Sequence, residues 1–127
     1  RRGDKISEAP LESVESYMNL VVNQTTSKNA FVLTDDFRVI NELRITYPDW
    51  SFFTFAQTGE CGYDHKEHLR QSKEARRIAM IKLLASVETL RRSDFFVGTY
   101  HSNPGKFLGM LRPEGTHSGV DNSIWFA

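Results

Sequence analysis

Three polar clusters stand where a strand would end or a helix would begin. They are RRGDK at 1–5, LTDD at 33–36 and SDFFVGTYHSNPGKF at 93–107. In an α/β fold such positions gather at one edge of the sheet, in the crevice where ligands bind. Arginine side chains and the N–H groups of a helix N-terminus both suit phosphate oxygens. The clusters therefore predict half of a nucleotide-sugar site, with the diphosphate at this edge.

The first cluster surrounds Asp4 with Arg1, Arg2 and Lys5. Arginine offers a planar fork of donors that matches phosphate oxygens. One arginine at a strand end could therefore neutralise a leaving diphosphate. A solvated charged turn is the alternative interpretation of the same residues.

The second and third clusters each follow a predicted strand. Asp35 and Asp36 are candidates to bind ribose hydroxyls, to hold an arginine or to position a loop, and we expect one of them to act only as a helix cap. The segment 99–106 joins a strand to a helix, where Ser102 and Asn103 add side-chain partners for a phosphate. A capped helix without a ligand is the alternative. Neither GxGxxG nor a P-loop motif is present in the sequence.

Histidine and cysteine offer two further chemistries. His65 and His68 stand three residues apart near a helix start, as metal ligands can. Cys61 and His65 could form a nucleophilic pair. Neither pair has a third group at a convincing spacing, so we expect no metal site. Cys61 is the single cysteine, which excludes an internal disulfide.

Alternating helices and strands must bring these clusters together. The predicted elements are a helix over 10–24, a strand over 30–34, a helix from Asp35 or Asp36 to Pro48, a strand over 51–56, a loop over 57–67, a helix over 67–92, a strand over 95–99 and a helix from the cap Asn103 to 111. A turn-rich tail over 114–122 follows, with His117 exposed, and 123–127 is a candidate last strand.

This order predicts an α/β fold, a three-layer Rossmann-like parallel sheet with helices on both faces. The segment before Arg1 would supply its first strand. We expect aromatic residues of the strands to form core, namely Phe52, Phe53, Phe55, Phe95 and Phe96.

Composition and charge set the class of protein. The 127 residues suffice for a single domain over 1–127 with its own core. Sixteen basic and sixteen acidic residues balance, so no overall field favours nucleic acid. No run of 18 apolar residues exists, so no membrane span is predicted. The chain begins with Arg1 rather than Met, and we expect a fragment or a processed product. A sequon at Asn23 slightly favours a secretory compartment.

In combination these motifs resemble the α-1,6-fucosyltransferase family, which includes the core fucosyltransferases of N-glycans and the bacterial nodulation fucosyltransferases. The matching residues are RRGDK with Glu8, ESYM at 15–18, LTDD at 33–36 and L-x-x-SDFFVGT-x-x-S over 90–102. The similarity covers about Arg1 to Pro113. It corresponds to the GDP-sugar-binding lobe of a two-lobed, GT-B-like catalytic core, whose N-terminal lobe would lie upstream.

The resemblance implies inverting, metal-independent transfer of fucose from GDP-fucose to a glycan acceptor, with no cofactor besides this donor substrate. It implies that Glu8 is the catalytic base, that Lys5 holds or relays its proton, and that Arg1 contacts the donor's β-phosphate. Such roles are chemically sound, because a sugar hydroxyl must lose a proton and a departing GDP gains charge. The donor-binding residues that it implies are Arg1, Arg2, Tyr17, Asp35, Asp36, Ser102 and Asn103.

Some positions depart from the family pattern. Ser86 stands where the family has an aspartate that recognises the nucleotide base, and His101 and Lys106 replace a serine and an arginine near the phosphate turn. The departure at Ser86 motivates a second hypothesis, a catalytically inactive lobe that serves as a binding or structural module. A response-regulator-like domain using Asp35 and Asp36 is a third, poorer interpretation.

The resemblance also implies a cellular setting. We expect the Golgi or the secretory-pathway lumen if the source is eukaryotic, and little activity from this lobe alone, because one lobe cannot enclose both substrates.

Overall fold

The computed structural model describes residues 12–121, and within this range helices and strands alternate. Their bounds are α1 Val14–Val22, β1 Asn29–Phe31, α2 Phe37–Thr46, β2 Ser51–Phe53, α3 His65–Arg70, α4 Lys73–Arg92, β3 Phe96–Gly98, α5 Asn103–Leu111 and β4 His117–Gly119. The predicted mixture of helices and strands is confirmed. None of the helices within 12–121 has the length and apolar content to cross a bilayer.

Each of these helices begins at a serine or aspartate whose side-chain oxygen accepts a backbone N–H of the first turn. These caps are Ser13, Asp36, Asp64, Ser72 and Ser102.

The caps explain where the predicted helix boundaries were wrong. Ser13 starts α1 at Val14 rather than at residue 10, and Asp64 ends the preceding loop by starting α3. Ser72 accepts the N–H of Ala75 and begins a new helix, which splits the predicted helix 67–92 into α3 and α4. Ser102, not Asn103, caps α5.

The strands form two parallel pairs. Ala30 of β1 lies opposite Phe52 of β2, and Val97 of β3 lies opposite Ser118 of β4. The described residues therefore form two-stranded sheets, and no continuous three-layer sheet joins them. β4 also corrects the prediction of turns alone over 114–122, because tertiary hydrogen bonds from Phe96 and to Gly98 hold this polar segment extended.

Strand β1 and the residues after it bury side chains on both faces. Ala30 and Val32 pack against a cluster formed by α1, α2 and β2, whose buried members are Val14, Met18, Leu43 and Phe52. Phe31 and Leu33 pack against the opposite cluster, which consists of Leu90, Phe96 and Leu108 from α4, β3 and α5. Helices thus lie on both sides of this strand, as the alternating side-chain directions of a strand require.

Several apolar side chains of the strands and of α4 are exposed, although in the sequence the α4 residues recur at roughly helical spacing. Phe53 and Phe55 are 57% and 45% exposed, so their assignment to the core is wrong. Along α4, the C-terminal residues Val87 and Leu90 pack against the core. The preceding turns carry an exposed apolar stripe of Ile78, Ile81 and Leu84.

The side chain of Arg112, just after α5, ties the second half of the fold together. Its Nη1 donates to the carbonyls of Leu90 (2.7 Å) and Arg91 (3.1 Å), at the end of α4. Its Nη2 donates to those of Ser93 (2.9 Å) and Asp94 (3.0 Å), and its Nε donates to the Thr116 carbonyl (3.1 Å). Burial lowers the pKa of Arg112.

Replacing Arg112 with alanine should therefore reduce the free energy of unfolding by about 2–5 kcal/mol, because five hydrogen bonds from a buried guanidinium to backbone carbonyls would be lost. Arg112→Lys keeps the charge but offers one nitrogen, so it should recover only part of the loss. Urea denaturation measures both. The control is Arg76→Ala on the exposed side of α4, where a change within about 0.5 kcal/mol is expected. Equal effects of Arg112→Ala and Arg76→Ala would contradict this assignment.

Candidate functional site

The loops that follow β1 and β3 border one cavity. Its volume is about 820 Å³, within the range of about 300–1,000 Å³ that ligand pockets occupy. The two strands, α1 and the start of α5 line it, and its polar side chains include Tyr17, Thr34, Tyr63, His65, His101, Ser102 and Asn103. The third polar cluster seen in the sequence therefore lies at this cavity, whereas the second contributes Leu33 and Thr34 but neither Asp35 nor Asp36.

Asp36 has a structural role at the end of the β1 segment. Its side chain is 1% exposed and caps α2 by accepting the N–H of Arg38 at 3.0 Å. Its two oxygens also accept from the Nε and Nη2 of Arg38, each at 2.8 Å. One of the two aspartates therefore caps the helix as expected, but the expectation that it acts only as a cap is wrong, because Asp36 also holds Arg38.

Asp35 positions the loop that leads to α3. Its carbonyl accepts the N–H of Gly62 at 2.8 Å, and its Oδ2 accepts the N–H of Tyr63 at 3.0 Å. The hydroxyl of Tyr63 lies 3.0 Å from Nδ1 of His65. Asp35 thereby fixes two ring side chains that line the cavity.

The turn between β3 and α5 forms another side of the cavity. The hydroxyl of Ser102 donates to the Thr99 carbonyl (2.9 Å) and accepts the N–H of Gly105 (3.1 Å). A Cβ on Gly105 would lie 1.9 Å from the same carbonyl, so the turn requires glycine there. Asn103, the first residue of α5, is exposed. Within 12–121 no backbone carbonyl accepts its N–H.

Asp121, two residues after the end of β4, holds this turn in place. Its carboxylate accepts the N–H groups of Tyr100 (2.9 Å) and His101 (3.0 Å) and contacts Nδ1 of the His101 ring. Burial opposes the ionisation of Asp121, but these donors together lower its pKa below the ordinary value. The His101 side chain is 54% exposed and lines the cavity, so a polarised imidazole stands beside Ser102.

Sequence reasoning missed Asp121. It is separated from His101 by twenty residues, and the two meet because β4 pairs with β3. No local pattern in the tail signals this contact.

A second hydrogen bond joins the turn to β4. The Tyr100 hydroxyl lies 2.6 Å from Nδ1 of His117. Burial and then the charge of Asp121 raise the pKa of Tyr100, and burial and then the Arg112 cation lower the pKa of His117. Both shifts favour the neutral forms, so a neutral phenol and a neutral imidazole share this hydrogen bond. His117 is half-buried, which corrects its prediction as exposed.

The remaining candidates fall into two groups. Arg1, Arg2, Lys5 and Glu8 lie outside the described residues, and their roles stay predictions. Tyr17 is half-buried on α1 and lines the cavity.

Ser86, which the resemblance aligns with a base-recognising aspartate, lies elsewhere. It is 2% exposed on α4, and its hydroxyl donates to the Lys82 carbonyl at 2.8 Å. It is not among the residues that line the cavity.

The histidines and the cysteine near α3 already have other partners. The Cys61 thiol donates to the Gly59 carbonyl at 3.3 Å, while His65 contacts Tyr63. The rings of Tyr63 and His68 are 5.5 Å apart. Within 12–121 no three His, Cys, Asp or Glu side chains are arranged to hold a metal ion.

Two comparisons of this chain with known proteins gave no match. A scan of protein-family models gave no match to this chain. A search of the curated proteins gave none either. The resemblance to fucosyltransferases therefore depends on the motifs themselves.

The Tyr100–His117 pair should make stability depend on pH at both ends. The folded-state pKa of His117 lies below 6.5, so the unfolded chain binds the proton first, and stability should fall as pH drops from about 6.5 toward 5. The folded-state pKa of Tyr100 lies above 10, so stability should also fall as pH rises above about 10. One proton gives a slope of at most about 1.4 kcal/mol per pH unit.

Urea denaturation at stepped pH measures these slopes. His117→Gln keeps an acceptor for the phenol and should flatten the acid-side slope above pH 5, whereas Tyr100→Phe should flatten only the alkaline one. An unchanged acid-side slope in His117→Gln would refute the assignment.

Proposed function

We propose that this chain is the donor-binding lobe of a glycosyltransferase, a three-layer Rossmann-like domain that binds GDP-fucose. With an upstream lobe it would transfer fucose to a glycan, with inversion and without a metal ion. The motif combination supports the family, and the shared cavity at the ends of β1 and β3 supports a ligand there. Open α/β sheets bind ligands in such crevices.

The observation that carries the proposal is the β3–α5 turn beside the cavity. The aligned peptide dipoles of the nine-residue helix α5 give its N-terminus a partial positive charge, which favours an anion there. The exposed Asn103 adds a backbone N–H and a side-chain amide, and His101 adds an imidazole oriented by Asp121. These donors suit the diphosphate of a nucleotide sugar.

The catalytic groups belong to the segment outside the described residues. In the proposal, Glu8 takes the proton of the acceptor hydroxyl, Lys5 supports that carboxylate, and Arg1 stabilises the charge on the leaving diphosphate. Arg2, Tyr17 and Ser102 complete the donor site, and Asp35 and Asp36 support it by positioning the loop before α3 and by holding Arg38. The proposed partners are the donor, a glycan acceptor and the N-terminal lobe, in the Golgi or another secretory lumen for a eukaryotic source.

Titration calorimetry of GDP and GDP-fucose against the full-length protein tests the donor site. Asn103→Ala should weaken both ligands about 10- to 100-fold, because one side-chain hydrogen bond to a charged group contributes about 1.5–3 kcal/mol. The control Asn41→Ala changes an exposed asparagine on α2 and should leave binding unaltered.

Equal GDP affinities for Asn103→Ala and the wild type would contradict this site. The absence of GDP binding by the full-length protein would also contradict it.

Ser86 favours a second candidate function, a glycosyltransferase-like lobe without activity. The buried hydroxyl already bonds to the backbone of α4, so this position supplies no carboxylate for a guanine. Release of fucose from GDP-fucose by the full-length protein excludes this candidate, whereas GDP binding without turnover supports it.

Restoring the family's acidic residue should not restore guanine preference. Ser86→Asp places a carboxylate at a 2% exposed position and should cost about 2 kcal/mol or more of stability. Titration calorimetry should give the same ratio of GDP to ADP affinity for Ser86→Asp as for the wild type. Urea denaturation measures the loss of stability. The control Ser86→Ala removes only the hydroxyl. A stable Ser86→Asp protein with a raised GDP preference would show that Ser86 occupies the base site.

A further inference from the structure

The His101 ring is held by a carboxylate at one nitrogen and is open to the cavity at the other. Its Nδ1 contacts an oxygen of Asp121, whose side chain is only 8% exposed. The same carboxylate accepts the N–H groups of Tyr100 and His101, which fixes its position relative to the ring. Among residues 12–121 the other ring nitrogen, Nε2, has no hydrogen-bond partner. Nε2 is therefore the atom that meets a ligand in the cavity.

The contact with Asp121 determines which nitrogen of the neutral ring carries the proton. Burial opposes the ionisation of Asp121, but hydrogen bonds from the N–H groups of Tyr100 and His101 keep its pKa below the ordinary value. An ionised carboxylate only accepts hydrogen bonds, so Nδ1 of His101 must be the nitrogen that bears hydrogen. The second nitrogen of a neutral imidazole is an acceptor. Nε2 therefore becomes a donor only when the ring is protonated.

This fixed orientation has a consequence for an anionic ligand. The diphosphate of a nucleotide sugar offers lone pairs and no proton at neutral pH, so a neutral His101 would oppose its own lone pair to a phosphate oxygen. A protonated ring would instead donate a charge-assisted hydrogen bond from Nε2, while Asp121 on the far side of the ring pairs with the cation. Histidine is the side chain that changes its charge between about pH 5 and 8, so this proton is available under ordinary conditions.

The surroundings of the ring offer few other positive charges. Among residues 12–121 no lysine or arginine side chain lines the cavity, so His65 and His101 are the side chains there that can become cations. Near the ring, Lys106 is exposed on α5, and the Tyr100 hydroxyl and His117 share a hydrogen bond with each other. The other titratable residues that line the cavity are Glu12, Tyr17, Tyr63 and Asp94.

We propose that His101 binds the diphosphate of the donor as an imidazolium, so that donor binding takes up a proton, and that Asp121 is its positioning residue. This inference rests on the proposed function and specifies the charge state in which the site binds its donor. During transfer, the bond between C1 of the sugar and the β-phosphate oxygen breaks, and its electron pair stays on that oxygen. The acceptor oxygen forms the new bond and loses its proton to the proposed base Glu8. The imidazolium stabilises the charge on the leaving phosphate, and its proton is released when GDP departs.

Calorimetric titration of GDP-fucose into the full-length protein, in buffers of different ionisation enthalpy, counts the protons taken up on binding. The diphosphate of GDP-fucose gains no proton near neutral pH, so any uptake belongs to the protein. We expect a maximum uptake of about half a proton or more between pH 6 and 8, and an affinity that falls about 10-fold over that range. His101→Gln should abolish both effects. The control His68→Gln changes a histidine that does not line the cavity and should keep both.

The variant Asp121→Asn tests the positioning role. Its amide can donate to Nδ1 of His101, which moves the proton of the neutral ring to Nε2 and lets that neutral ring donate to a phosphate. Proton uptake should therefore fall at least about twofold, and the affinity for GDP-fucose at pH 8 should approach that at pH 6. A merely structural role of Asp121 would weaken binding by the same factor at every pH and leave the uptake unchanged, which would overturn its assignment.

The outcomes separate this inference from the proposed function. Binding of GDP-fucose without proton uptake, or with uptake that His101→Gln retains, would overturn the inference and leave the donor site intact. Uptake that is lost in His65→Gln instead would place the cation on the other side of the cavity and would also overturn it. The absence of GDP-fucose binding at every pH would contradict the proposed function itself.

Discussion

A buried guanidinium determines the arrangement of the half of the molecule that carries the β3–α5 turn. The last carbonyls of a helix have no partner within the helix, and Arg112 satisfies two of them at the end of α4. The same side chain bonds to the residues before β3 and to Thr116 before β4. The dipoles of the carbonyls at a helix C-terminus stabilise a nearby positive charge. Hydrogen bonds of one side chain therefore join α4, β3, α5 and β4, beside the packing of Leu90, Phe96 and Leu108.

The site inherits its geometry from this arrangement. The Thr116 carbonyl, which Arg112 contacts, also accepts the N–H of Phe96 and so begins the pairing of β3 with β4. That register carries Asp121 to the carboxyl end of β3, where it accepts the N–H groups of Tyr100 and His101. A buried, ionised carboxylate then orients a cavity-lining imidazole. The chain of contacts runs from the Arg112 cation to His101, one of the residues proposed to bind the phosphate.

The sequence predicted those features that local chemistry decides. The alternation of helices and strands, the cap at Asp36 and the apolar β1 segment follow from periodicity and from short-range hydrogen bonds. It did not predict β4 or the role of Asp121, because tertiary pairing holds His117–Gly119 extended. Periodicity along α4 marked an apolar stripe, but it does not reveal that Ile78 and Ile81 remain uncovered. The catalytic candidates before residue 12 stay predictions.

The two sides of the cavity belong to different strand pairs, and this bears on function. Asp35 and Tyr63 are positioned from the β1 pair, whereas His101 and Asn103 are positioned from the β3 pair. Within 12–121 the described contacts between the pairs are side-chain packing, through Phe31, Leu33 and α1. Catalytic and binding groups need placement within about 0.5 Å, which backbone ladders supply better than packing alone. The relative placement of the two sides of the cavity therefore depends on the packing of Phe31 and Leu33 against Leu90, Phe96 and Leu108.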